Sequence, residues 1–126
     1  MKRLWAACAL LALLLAASLT NAWYARTLTQ QLSQPLEQAQ RLAGEGNWSE
    51  ARLLTSRSYD IWNAHHTYLH CVLRHSDTDQ ILRSFRGVLR YLKLEEMDQY
   101  AAANADLISQ LELLSEMEQA ALVNVL

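Results

Sequence analysis

The residues best suited to chemistry crowd into one stretch: His65, His66, His70, Cys71 and His75. His66 and His70 stand four apart, so one helical face could present both imidazoles to a single metal ion. Cys71 and His75 share that spacing but are rotated by about 100–150° from the first pair at 3.6 residues per turn. A single helix therefore does not converge all four on one ion. No HExxH occurs, and Asp77 and Asp79 stand where helix-start acids stand. A histidine cluster could also sense acidity, since imidazole titrates near pH 6.5. The structural alternative turns His65 inward, leaves His66 and His70 partly exposed or bonded and sets His75 at a helix end. No cofactor is expected.

Other chemistry has less behind it. No serine lies in a G-x-S-x-G elbow, and neither a glycine-rich phosphate loop nor a dinucleotide fingerprint occurs. The carboxylate pairs Glu95-Glu96 and Glu116/Glu118 fall where helix starts favour acids. The expectation is a protein that is not an enzyme.

One charged pattern is more orderly. Arg83, Arg86, Arg90 and Lys93 follow each other at spacings of three and four, one stripe along a helix. It can pair with acids such as Glu95, Asp98, Asp106 or Glu112 across a hairpin, or it can be a patch for an anionic partner such as headgroups or a wall polymer. Charge is segregated by region. Residues 24–93 hold nine basic and six acidic side chains, whereas residues 94–126 hold seven acids and no base. With an acidic exported part, no nucleic acid is expected as a partner.

The elements that position these groups are helices. The chain has 126 residues, 3 glycines and 1 proline, too few for a turn-rich sandwich or barrel. Leu and Ala dominate, while Val and Ile are scarce, which favours helix throughout. Lys2 and Arg3 precede a charge-free run from Leu4 to Leu19, bracketed by Trp5 and Trp23. At 1.5 Å per residue the two tryptophans lie about 27 Å apart, the separation of two interfacial belts. The run reads as a membrane anchor within residues 1–23, with residues 4–23 in the bilayer. The basic N-terminus is then inside and residues 24–126 form the extracytoplasmic domain. A secretory signal with small-residue exits at Ala16-Ala17-Ser18 or Thr20-Asn21-Ala22 is the alternative, and implies a secreted ligand or metal binder using residues 65–75. Cys8 falls inside the apolar run, and Cys71 alone cannot form an internal disulfide.

Apolar residues continue at Leu28, Leu32, Leu36, Ala39 and Leu42, so the first helix should emerge from the bilayer and run to about Ala43. Pro35 either kinks it or opens a fresh helix capped by Ser33. Asn47-Trp48-Ser49-Glu50 and Ser76-Asp77-Thr78-Asp79 read as capping boxes for a second and third helix. The second carries Trp48, Ala51, Leu54, Ser58, Ile61, His65, Leu69 and Val72 on one face, with Trp62 in a neighbouring row. The third carries Ile81, Leu82, Phe85, Val88, Leu89 and Leu92. A fourth starts near Glu95, and Ser115 and Glu118 suggest a cap before a short fifth segment from Glu116 to Asn124. The fold class is all-α: an N-terminal transmembrane or signal helix followed by a small antiparallel bundle of two helical hairpins. Residues 46–51 also resemble the start of a tetratricopeptide-type hairpin, with residues 95–101 a degenerate second copy, at a spacing longer than the usual unit of about 34 residues.

The combination of basic start, single apolar segment, Gly-Asn-Trp-Ser-Glu-Ala turn (46–51), aromatic helix with Trp62, His75-Ser76-Asp77-Thr78-Asp79-Gln80-Ile81 and a Leu-rich closing helix through Asn124-Val125-Leu126 resembles the bacterial domain-of-unknown-function family 4363. These are small single-anchor proteins found mainly in Gram-positive spore formers. The resemblance implies an anchored helical envelope protein with no assigned activity, in which Trp48, Trp62, His75 and Asn124 are structural. Pro35 and the extra histidines depart from the pattern. The expected role is a non-enzymatic interaction or scaffold component of the envelope with a protein partner.

Overall fold

The computed structural model describes the backbone of residues 1–65 and 75–125, and the side chains of residues 1–65 and 78–116. Four helices account for nearly all of it: α1 (Lys2–Gly44), α2 (Trp48–Ala64), α3 (His75–Leu94) and α4 (Met97–Val125). No strand occurs among the described residues. At 1.5 Å per residue, α1 is about 65 Å long.

Two hairpins, α1–α2 and α3–α4, pack together so that each helix touches two neighbours. α1 lies against α2 and α4, and α3 lies against α2 and α4, while across the diagonal Tyr100 of α4 reaches Trp48 of α2. The result is a closed four-cornered bundle in the order α1–α2–α3–α4, not an open stack of hairpins. Both hairpin turns sit at the end away from the apolar segment.

The core follows helical spacing. Leu28, Leu32, Leu36, Ala39 and Ala43 come from α1, Ile81, Phe85, Val88 and Leu92 from α3, and Tyr100, Asn104, Leu107 and Leu111 from α4. α2 departs from its apolar pattern. Its buried residues are Ala51, Thr55, Ser58 and Trp62, while Leu54 and Ile61 are only half-buried and Leu53 is exposed. The small side chains let α2 approach α1 closely. The bulky ones fill the flanks, where Tyr59 packs edge-on against Phe85 at 5.7 Å and Trp62 tilts against it at 6.2 Å.

The hairpin turns share one geometry. At the end of α1, Gly46 N–H donates to Ala43 O (3.0 Å) and Asn47 N–H to Leu42 O (2.8 Å), with Gly46 left-handed at φ 84°. At the end of α3, Glu95 N–H donates to Leu92 O and Glu96 N–H to Tyr91 O, both 3.2 Å, with Glu95 at φ 56°. Both are Schellman closures. They also correct the first capping box. Asn47 does cap α2, but its side chain makes no cap bond, and its amide is already held by Leu42, so Glu50 has nothing to reach back to.

Two further corrections concern boundaries. The described part of α3 already includes His75, so Ser76 lies inside the helix and not at its cap, and Thr78 is buried within it. The separate fifth segment is absent. α4 runs unbroken to Val125, and Ser115 is buried in it because the helix continues against α1.

Pro35 neither ends α1 nor starts a new helix. Proline cannot donate to the carbonyl four residues back, which weakens the helix locally. Neighbouring helices supply bonds on either side of this point. Ser58 Oγ donates to the Leu32 carbonyl (2.7 Å), and Asn104 Nδ2 donates to the Leu36 carbonyl (3.0 Å) and to Gln40 Oε1 (3.0 Å).

Candidate functional site

Three features could carry function, and the bundle positions each differently. The first is the apolar part of α1. An 18-residue window with mean hydropathy 1.9 is 0% buried inside the structure. Leu4, Trp5, Leu10, Leu11, Leu13, Leu14, Leu15, Leu19 and Trp23 are all exposed, and Leu28 is the first fully buried leucine of the helix. A core helix of that composition would be covered by its own chain, and this one is not. The segment is long and apolar enough to cross a membrane, as a retained anchor or a signal sequence would be.

The second is the histidine stretch. His65 caps the end of α2, half-buried, with Nδ1 2.9 Å from the Ile61 carbonyl. Its ring centroid lies 6.1 Å from that of Tyr24. This places the end of α2 beside the point where α1 leaves the bundle. His66, His70, Cys71 and the side chains of His75 and Asn124 lie outside the described residues. Among the described residues no group of three or more His, Cys, Asp or Glu is placed to hold a metal. Cys8 is exposed in the apolar segment.

The third is charge. Arg83, Arg86, Arg90 and Lys93 are all exposed along the outer side of α3. None pairs with Glu95, Asp98, Asp106 or Glu112, because the helix turns its α4-facing flank elsewhere. Ser84 Oγ donates to Gln110 Oε1 of α4 (3.0 Å), and at 100° per residue the stripe stands about 100–180° around from Ser84. Glu95 pairs instead with Arg52 of α2 at 3.8 Å, and Arg52 also donates to the Leu92 carbonyl (3.4 Å). Both partners of that pair are well exposed, so it contributes about 0–1 kcal/mol. It is the one ion pair among the described residues.

An opposing feature was not visible in the sequence. On the α1/α4 side a groove of about 370 Å³ is lined by Arg26, Ser33, Glu37, Glu112, Ser115 and Glu116, with Thr29, Gln30 and Gln34. Ser33 Oγ is buried there without a hydrogen-bond partner, and Thr29 Oγ1 donates to the Leu111 carbonyl (3.4 Å) beside it. The contributing residues are some 80 positions apart in the chain, so only the α1–α4 packing brings them together. A buried hydroxyl without a partner costs about 1–3 kcal/mol, and a polar group entering the groove would offset part of that.

The core holds one perturbed acid far from these surfaces. Burial pushes the Tyr100 phenol up to about 12, and the Thr55 hydroxyl beside it pulls weakly the other way. The Thr55 proton is committed to the Ala51 carbonyl (2.9 Å), and the phenolic oxygen has no hydrogen-bond partner. Tyr100 packs edge-on against Trp48 at 6.2 Å and reads as structural.

No curated protein and no solved structure matches the chain. A family model described as Domain of unknown function (DUF4363) matches residues 20–125, from the last turns of the apolar segment through the end of α4. The chain therefore belongs to that family.

Proposed function

We propose that this protein is a single-pass component of the bacterial cell envelope, held in the cytoplasmic membrane by residues 4–23. Its N-terminus is inside and its bundle outside, where the bundle serves as a non-enzymatic interaction or scaffold module. The observation that carries this reading is the uncovered apolar segment of α1, continuous with a helix whose other half is core. Leaving nine large apolar side chains in water is unfavourable by about 25 cal/mol per Å², and a bilayer removes that cost. Lys2 and Arg3 next to the run favour the inside orientation.

Retention is favoured over release by the same continuity. Both small-residue exits lie in the interior of α1, and Thr20 Oγ1 donates to the Ala16 carbonyl (2.8 Å) within it. A peptidase acts on extended chain, so cleavage there must first unwind the helix.

The test is fractionation of cells that express the chain, with sequencing of the mature N-terminus. The expected result is a full-length chain in the membrane fraction, with a C-terminal reporter active outside and proteolysed from outside. Recovery in the medium beginning after Ala22, or a reporter active only inside, overturns the reading.

A further inference from the structure

The basic stripe and the acidic groove lie on opposite sides of one bundle. At 100° per residue the stripe is turned about 150° from the core line of α3, away from Ser84 and α4, so it looks out on the α2 side, while α1 and α4 frame the groove. The charged side chains on both are exposed and free of ion pairs among the described residues.

Their heights along the bundle also correspond. Thr29 meets Leu111, Leu36 meets Asn104, and Ser84 meets Gln110, so antiparallel neighbours can be read as a ruler. At 1.5 Å per residue, Arg83 stands within about 2 Å of the height of Glu112, and Arg90 within about 2 Å of Glu37. Asp79, the acid flanking the stripe, stands within about 2 Å of the height of Arg26, the base lining the groove. Lys93 meets Asp98 at about 5 Å, with Arg41 alongside, and is the weakest match.

We propose that copies of this chain associate side by side, the α3 stripe of one copy seated on the α1/α4 groove of the next. The proposal rests on the anchored reading above, and names a second copy as the partner. Chains anchored in one membrane through α1 share one orientation, so a sideways translation alone brings Arg83 opposite Glu112 and Arg90 opposite Glu37. Arg83 then meets the Glu112 end of the groove and Arg90 the Glu37 end, with the unpartnered Ser33 hydroxyl at a height between them. The two surfaces differ, so the contact is heterologous and propagates as an open row. The stripe runs along the bundle axis, about 15 Å from Arg83 to Lys93, and so does not lie flat on a layer of headgroups.

The test uses full-length chains, donor- and acceptor-labelled, in vesicles of neutral phosphatidylcholine. Wild-type chains transfer energy in a concentration-dependent way. One variant carries Arg83→Glu with Arg90→Glu, and another carries Glu37→Arg with Glu112→Arg. Each alone loses at least about fivefold in association, because like charges then face each other. Mixed together, the two variants regain transfer between unlike copies, since each reversed face now meets a reversed partner. All four positions are exposed, and unchanged circular dichroism confirms that the variants fold. Transfer unaffected by either reversal, or no rescue on mixing, overturns the proposal, as does a stripe that responds only when anionic phosphatidylglycerol is added. Vesicle flotation reads the anchor separately. If the chain does not float, the same loss and rescue are read by sedimentation in solution, where their absence is equally decisive.

Discussion

Tyr100→Phe tests the core at a single atom. The side chain is 0% exposed, and its phenolic oxygen has no hydrogen-bond partner. Removing an unsatisfied buried hydroxyl recovers about 1–3 kcal/mol of desolvation, and the small void left behind takes part of it back. The expected net is a gain of about 1 kcal/mol at pH 7, or roughly 4–8 °C in Tm for a domain of this size. The second half of the prediction concerns alkali. The phenol is neutral when protonated, and burial favours that form, so the folded value of about 12 lies above the ordinary value of 10.0. Its contribution is therefore fully present below pH 10 and is lost as pH rises through 12, because the unfolded chain releases the proton first. At 1.36 kcal/mol per unit the loss approaches about 2 kcal/mol by pH 11.5, and Phe has none of it. Urea unfolding of the full chain in detergent micelles, followed by circular dichroism from pH 7 to pH 11.5, measures both. The difference between wild type and variant cancels the titration of every other group. A variant less stable by 1 kcal/mol or more at pH 7, or a difference that does not grow above pH 10, refutes the reasoning.

Asn104→Ala removes both donors that hold Leu36 and Gln40 across the α1–α4 seam; it should cost about 2–3 kcal/mol in the same unfolding assay, against about 1 kcal/mol for Ser58→Ala. The two turns should respond in opposite directions. Gly46→Ala places a Cβ at φ 84° and should destabilise by about 1 kcal/mol, whereas Glu95→Gly relieves φ 56° and should be neutral to about 1 kcal/mol stabilising, even though it gives up the exposed pair with Arg52.

How much was legible depended on whether a residue's role was local. The apolar run needs no partner to be recognised, and α1 ends at Gly44, next to the expected Ala43. The α3 stripe of Ile81, Phe85, Val88 and Leu92 is buried as its spacing predicts, with Leu82 and Leu89 on its flanks. In α2 the expected face holds for Ala51 and Ser58, which are buried, but Leu54 and Ile61 are only half-buried, and Thr55, a residue that no hydrophobic pattern selects, is buried instead. The Glu50 capping box failed because the amide it needed was consumed by the preceding helix's closure. Glu95 gave no sign of a left-handed turn, since glutamate is not a residue that favours one. The stripe on α3 was plain, but its freedom from the acids of α4 was not. That depends on Ser84, and not an arginine, facing α4.

α1 joins the two halves of the molecule, and its weakest point falls inside the bundle. Pro35 removes one backbone bond in the middle of the packed half, where tilt of the apolar half would otherwise be absorbed by bending. The bonds from Ser58 and Asn104 reach the backbone three residues before it and one residue after it, from helices on two sides. Both donors are buried, so each bond is shielded from competition by water. The helix is thus braced where it would flex, and the orientation of the apolar half is carried into α2 and α4 together. Rows of copies require that heights and faces stay in register from one chain to the next. A proline braced from two sides supplies that rigidity without giving up the continuity of the helix.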